Sequence, residues 1–112
     1  MSITVKLVTN QFGNLGGKLA GQVRAAVSDT AHAIEADAKQ RAPVDTGALR
    51  SSISTQVISD TEAHVNVAAD YGAYVEYGHR AGGSFVAAQP FLTPAAEAQR
   101  APFEARLKKV LG

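Results

Sequence analysis

Alternating apolar and polar residues predict strands at the start and in the middle of the chain. In residues 2–9 every second side chain is apolar, which is the period of a half-buried strand. Residues 51–59 and 62–69 show the same alternation and are joined by a short turn at Asp60-Thr61. We therefore predict one N-terminal strand followed later by an antiparallel hairpin.

Between these strands the period becomes helical. In residues 18–41 the larger apolar side chains recur every three to four positions, and alanines fill the margins of the stripe. Pro43 ends the helix, because a proline disfavours the helical conformation of the residue before it. The stripe consists of Leu19, Val23, Val27, Ile34 and Ala38, flanked by Ala26, Ala31 and Ala33.

A second helix is predicted over residues 95–111. Thr93 and Pro94 form its start, as a capping residue followed by a proline in the first turn. Lys108 and Lys109 carry the charge that favours a helix C-terminus. Pro102 is expected to kink this helix near its middle or to divide it in two.

Two segments are less determined by their pattern. Residues 71–77 (YGAYVEY) fit either a short helical turn or a strand, and residues 79–88, with the pair Gly82-Gly83, are predicted to be a flexible loop. The predicted fold is α+β, with a small antiparallel sheet of about three to four strands. This sheet packs against the long N-terminal helix, and a C-terminal helix follows.

Composition limits the function classes. The 112 residues suit a single domain (1–112), and 46% hydrophobic content is enough for an ordered core. Eleven basic and ten acidic residues give a net charge of +1, which argues against a dedicated DNA-binding protein. The absence of cysteine excludes disulfides and cysteine-ligated zinc. We expect no signal peptide and no membrane span.

No motif predicts an enzyme or a metal site. The three histidines lack the HExxH spacing of a zinc protease, and no P-loop or GxGxxG sequence is present. Accordingly, no catalytic, cofactor-binding or metal-ligating residue and no cofactor is predicted.

The triplet Asp45-Thr46-Gly47 has two interpretations. DTG carries the catalytic carboxylate of aspartic proteases, and a chain with one DTG would need a homodimer to bring two carboxylates together. That chemistry belongs to an all-β fold in which DTG follows a buried strand, whereas here it follows a helix. The favoured interpretation is an Asx-type turn between the long helix and the next element.

Five of the seven aromatic residues lie within 21 positions. They are Tyr71, Tyr74, Tyr77, Phe85 and Phe91. A place in the core and a place in a subunit interface both explain this cluster.

Three segments resemble a known family when taken together and in order. A long helix ends in RAPVDTGALRSSI, YGAYVEYG follows, and AQPFLTPA leads into a C-terminal helix. This arrangement is similar to the small neck or tail-completion (head–tail joining) proteins of long-tailed bacteriophages and prophages, over roughly residues 31–106.

The resemblance implies a non-enzymatic structural protein that forms a ring at the head–tail junction. Its partners would be copies of itself, the head-closure or connector protein and the tail-terminator protein, with DNA passing through the channel without specific binding and no membrane. It would reside in the virion, and in the host cytoplasm during assembly. The positions that carry the resemblance are interpreted as fold-defining or subunit-contact residues: Pro43, Asp45, Thr46, Gly47, Leu49, Arg50, Ile53, Tyr74, Glu76, Gly78, Pro90, Phe91 and Pro94.

Two other functions stay open at this point. One is a homodimeric aspartic-protease-like hydrolase that uses Asp45, and the other is a DNA-associated accessory protein. The first predicts an obligate dimer with peptidase activity, and the second predicts duplex binding that weakens steeply with salt.

Overall fold

The computed structural model describes residues 1–6, 17–43 and 47–111 of the chain. The strands are β1 (Ser2–Lys6), β2 (Ile53–Ser59), β3 (Glu62–Val67), β4 (His79–Ala81) and β5 (Ser84–Val86). The helices are α1 (Gly17–Arg41), α2 (Gly47–Ser51), α3 (Gly72–Tyr77), α4 (Leu92–Ala98) and α5 (Arg100–Leu111). The predicted α+β class is confirmed: a small antiparallel sheet, a long N-terminal helix and a C-terminal helix.

The three longer strands form one antiparallel sheet in the order β1-β3-β2. The predicted hairpin supplies β2 and β3, and the N-terminal strand pairs with the far side of β3, so that Ile3 lies opposite Val65. Alternate residues of β3 are buried, as the period of its sequence predicts. Of the predicted first strand, residues 7–9 lie outside the described residues.

Helix α1 covers the apolar face of this sheet. Its buried side chains follow the predicted stripe closely, although Leu19 is only half-buried and Thr30 is buried within it. Thr30 is polar, and its Oγ1 accepts a hydrogen bond from Nη1 of Arg106 in α5 at 2.8 Å. This bond satisfies the buried hydroxyl and ties the C-terminal helix to the longest helix.

The predicted C-terminal helix is divided in two, and the division lies at Gln99. Pro102 explains this position, since a proline ring clashes with the carbonyl four residues earlier and here α4 ends at Ala98. Pro102 itself lies in the first turn of α5, where a missing N–H costs little. The predicted start at Thr93 is wrong: α4 begins at Leu92, after the N-cap residue Phe91.

The segment 71–88 contains regular structure. Residues 72–77 form helix α3, which decides between the helical and extended alternatives. Strands β4 and β5 form a two-stranded hairpin where the sequence predicted a loop. Gly82 and Gly83 make its turn, with φ of 55° and 88°, a conformation that glycine adopts without strain.

The core lies between α1 and the sheet and is closed at one end by α4. Phe91 and Leu92 at the start of α4 are almost fully buried, and so is Leu49 of α2. None of the described side chains of β4 and β5 belongs to this core. The hairpin therefore lies outside the packed part of the molecule.

Candidate functional site

The described residues that carry the family resemblance lie in the core, at the surface and at one junction between elements. Leu49, Ile53 and Phe91 are buried in the core, with at most 1% of each exposed. Pro90 and Gly47 are exposed, and Pro43, Arg50 and Pro94 are half-buried. Asp45 and Thr46 lie outside the described residues. The remaining three, Tyr74, Glu76 and Gly78, lie together at the junction of α3 with the β4–β5 hairpin.

Glu76 connects the segment YGAYVEYG, to which it belongs, with the segment AQPFLTPA. Its side chain is buried, and Oε1 accepts hydrogen bonds from the backbone N–H groups of Leu92 at 2.7 Å, Phe91 at 3.3 Å and Thr93 at 3.4 Å. These N–H groups belong to the first turn of α4, where an α-helix has no internal acceptors for them. We call this arrangement, Glu76 with the N–H groups of residues 91–93, the carboxylate clasp.

The chemistry of the clasp explains why a carboxylate is buried there. The N-cap residue Phe91 has no side chain that can accept a hydrogen bond, and no side-chain cap is present within α4 itself. A carboxylate at a helix N-terminus supplies the missing acceptor and is also favoured by the helix dipole. The clasp thus fixes α3, and the hairpin that follows it, to the start of α4.

Gly78 brings the hairpin close to α3. Its φ is 78°, and a Cβ atom at this position would lie 2.8 Å from the carbonyl oxygen of Val86 and 2.9 Å from the nitrogen of Ala88. The end of the hairpin therefore passes directly over the Gly78 backbone. The N–H of Gln89 then donates to the carbonyl of Val75 at 2.8 Å, which returns the chain to α3.

The aromatic cluster of the sequence is split between core and surface. Phe91 is buried and Tyr71 is half-buried, whereas Tyr74, Tyr77 and Phe85 expose 58%, 67% and 67% of their surface. Tyr74 stacks on His79, with ring centroids 4.9 Å apart. The exposed residues Tyr74, Tyr77, Phe85 and Val86 form what we call the aromatic patch.

A groove lies beside strand β1. It has a volume of about 390 Å³ and runs between β1 and helices α4 and α5, with Thr30 and Ile34 of α1 also lining it. A cavity of this size is in the range that buries a side chain or a small ligand. Its apolar lining consists of Ile3, Val5, Ile34, Ala96 and Phe103.

One charged group among the described residues has a shifted pKa. Glu35 has a perturbed carboxyl group: burial acts to raise its pKa, but hydrogen bonds with Thr55 and Lys39 and the charge of Lys39 outweigh this and hold the pKa below its usual value. The lowered pKa of Glu35 therefore belongs to its ion pair with Lys39, one turn further along α1, in which Nζ and Oε2 lie 3.0 Å apart. Among the described residues, no group of three or more His, Asp or Glu is placed to hold a metal ion.

The protease interpretation finds no support in the architecture. Helix α1 ends at Arg41, before the triplet, and Gly47 begins the short helix α2. Aspartic-protease chemistry belongs to an all-β fold in which a strand leads into DTG, and the α+β fold differs from it.

Sequence reasoning did not detect the carboxylate clasp. The available signal was a single acid, Glu76, between apolar and aromatic residues on a short segment, followed by a helix whose N-cap residue lacks an acceptor. The pairing of Thr30 with Arg106 was also missed. The sequence indicates this pairing only through Thr30, a polar residue within an otherwise apolar stripe.

Comparison with known proteins gives one match. A family model described as "Bacteriophage HK97-gp10, putative tail-component" matches residues 6–78. The matched region runs from the last residue of β1 to Gly78, so it includes α1, strands β2 and β3, and Glu76. No curated protein and no solved structure matches this chain.

Proposed function

The chain belongs to the bacteriophage HK97-gp10-like family of tail components, and we propose that it is a structural subunit of the head–tail junction, a neck or tail-completion protein. Copies of the chain assemble as a ring that joins the head connector to the tail and leaves a channel for DNA. The family match over residues 6–78 is the observation that carries this proposal, because it covers α1 and all of β2 and β3.

Two features of the fold favour assembly into a ring. In the three-stranded sheet, no other strand of the described residues pairs with the outer edge of β1. Unpaired strand edges and exposed aromatic side chains are surfaces that subunit contacts cover. A head-to-tail contact between identical copies closes into a ring when its rotation closes.

The charge of the chain suits a channel through which DNA passes. A net charge of +1 leaves no strong attraction for phosphate, and strong attraction would slow the passage of DNA. The proposed neighbours are the head-closure or connector protein on one side and the tail-terminator protein on the other. The proposed function involves no catalysis and no cofactor.

The proposed location is the virion, with assembly in the host cytoplasm. No helix in the described part of the chain combines the length and the apolar character that crossing a bilayer requires. Protein mass spectrometry of purified, DNA-filled virions should detect the chain in several copies per particle.

Disruption of the gene tests the function directly. A stop codon early in the reading frame should produce DNA-filled heads and separate tails that do not join, and expression of the wild-type chain from a plasmid should restore complete particles. Electron microscopy of the lysate distinguishes these outcomes. Infectious particles in normal yield without the chain would overturn the proposal.

A further inference from the structure

The β4–β5 hairpin and the neighbouring helix α3 leave a large apolar surface unburied. We call residues 79–89 the arm; all its described residues from 82 to 89 are exposed, and it adds nothing to the core. Fully buried aromatic side chains cover roughly 150–250 Å² each, so the three exposed aromatics of the patch present roughly 300–450 Å². This is as large as the largest apolar patch of a typical monomer and about half of one side of a standard interface.

The groove beside β1 offers a surface of matching character. Four consecutive residues of β1, from Ile3 to Lys6, line it, as expected where a strand presents its edge, because successive side chains alternate between faces. The opposite wall is formed by the exposed or half-buried side chains of α4 and α5, among them Ala96 and Phe103. An apolar side chain with an extended backbone fits such a groove.

Among the described residues, no strand pairs with the outer edge of β1. Met1 and Val67 exchange backbone contacts across the β1–β3 ladder, with Val67 donating to the Met1 carbonyl at 2.8 Å. Backbone groups alternate in direction along an antiparallel strand, so Ile3 and Val5 also point towards β3. The N–H and C=O groups of Thr4 therefore point away from β3, towards the outer edge of the sheet.

The arm carries the complementary edge. A two-residue turn at Gly82-Gly83 makes Ala81 and Ser84 the hydrogen-bonded pair that closes the hairpin. The next pair, Arg80 and Phe85, then directs its backbone groups outwards. Phe85 thus combines an exposed aromatic ring with N–H and C=O groups that point away from β4, which is what adding a strand to a sheet edge requires.

We propose that the arm of one copy docks in the β1 groove of the next copy, with Phe85 in the groove and β5 extending the sheet parallel to β1. This direction places Phe85 on the same face as Ile3 and Val5, which face α1, while its N–H and C=O groups meet the outer edge of β1 beside Thr4. This contact rests on the proposed ring and identifies its subunit interface. A second copy is the occupant because a head-to-tail contact needs two different, matching surfaces on one chain, and the aromatic patch and the groove supply both. The area of the patch provides about half of what one side of a stable contact buries.

Mixing two variants tests the pairing of these surfaces. Phe85→Glu removes the anchor of the arm but keeps the groove, and Thr93→Trp fills the groove from an exposed position on α4 but keeps the arm. Wild-type chain should form species larger than a dimer at high concentration, and each variant alone should raise the dissociation constant at least about tenfold. An equimolar mixture should return a one-to-one heterodimer and nothing larger, measured by native mass spectrometry.

A matched control separates this contact from a general loss of apolar surface. Ile58 is 47% exposed on β2 and lies outside both the arm and the groove, so Ile58→Glu should assemble as wild type does. Assembly of Phe85→Glu equal to that of wild type, a mixture without heterodimer, or a wild-type chain that stays monomeric at every concentration would each overturn the proposal. If the wild-type chain stays monomeric and Phe85→Glu also fails to restore particles, the arm would instead bind a different protein of the junction.

The role in the virion is read out separately. If Phe85→Glu restores complete particles in the gene-disruption assay, the docking proposal fails while the head–tail function stands. If particles form without the chain, the head–tail function fails whatever the variants do in solution.

Discussion

The Oε1 atom of Glu76 accepts a hydrogen bond from the N–H of Leu92 at 2.7 Å, and this bond spans sixteen positions of the sequence. It connects YGAYVEYG with AQPFLTPA, two segments that resemble the same family but have no local pattern in common. The β4–β5 hairpin lies between them, so the bond also closes its base. The buried carboxylate of Glu76 is therefore explained by the N-terminus of α4, which it caps.

Removal of the clasp should destabilise the fold. Glu76→Ala leaves buried N–H groups of α4 without an acceptor, and we expect a loss of about 1–3 kcal/mol in the free energy of unfolding. In a domain of this size, each kcal/mol lowers the Tm by roughly 4–8 °C. Glu76→Gln keeps one acceptor oxygen and should lose less. Glu97→Gln, at an exposed position of α4, should change stability by less than about 0.5 kcal/mol; equal effects at both positions would contradict the role of the clasp.

Two glycines should respond in opposite directions to replacement by alanine. At Gly78 a Cβ atom would meet the backbone of Val86 and Ala88 at less than 3 Å with φ positive, so Gly78→Ala should cost about 1–3 kcal/mol. At Gly21, exposed in the second turn of α1, a Cβ atom meets nothing within 4 Å, and Gly21→Ala should stabilise by up to about 1 kcal/mol. Urea denaturation of both variants checks the signs, and a neutral Gly78→Ala would disagree with the close passage of the hairpin.

The hydrogen bond between Thr30 and Arg106 should appear as an energetic coupling. Thr30→Val keeps the shape of the side chain and removes the acceptor, while Arg106→Met removes the donor. The two losses should not add: we expect a coupling of about 1 kcal/mol in a double-mutant cycle measured by denaturation. Strict additivity would mean that the bond does not contribute to holding α5 on α1.

Acid should weaken the contribution of Glu35. The pKa of this carboxyl is lowered in the folded chain: burial opposes this, but the hydrogen bonds with Thr55 and Lys39 and the charge of Lys39 prevail. A carboxyl with a lowered folded pKa stabilises the fold above its unfolded pKa, and this stabilisation is lost as the pH falls through the folded value.

The variant Lys39→Met removes the charged partner of Glu35 and so tests the pH dependence of this stabilisation. At pH 7 the variant should be less stable than wild type by roughly 0.3–0.5 kcal/mol, the usual size for an exposed pair one helical turn apart. The difference should shrink as the pH falls below the usual Glu value of 4.5 and should vanish once Glu35 is protonated in both states. Denaturation curves between pH 7 and pH 3 measure it, and a difference that does not depend on pH would exclude the ion pair as its source.

The sequence predicted those parts of the fold that have a local period. The stripe of α1 and the alternation of β2 and β3 place most core side chains correctly, because each pattern repeats several times within one element. Strands β4 and β5 have three residues each, too few to show alternation, and their glycine turn was therefore interpreted as a loop. Whether this segment is flexible stays a prediction.

Contacts between distant residues could not be predicted in this way. Glu76 and Leu92 share no spacing that indicates a helix cap, and the pairing of Thr30 with Arg106 spans 76 positions. The break between α4 and α5 was expected at or near Pro102, but the clash of the proline ring acts four residues earlier. The division of the aromatic cluster into buried Phe91 and exposed Tyr77 also depends on tertiary packing, which periodicity does not contain.

The position of the arm outside the core has an evolutionary consequence. Substitutions in residues 82–89 change an exposed surface without disturbing the side chains that pack between α1 and the sheet. Selection can therefore tune the proposed contact between copies without endangering how the chain folds. Gly78 and Glu76 hold the base of the hairpin in place, and a change in the arm has to be matched in the β1 groove of the same chain, so these two surfaces are expected to vary together.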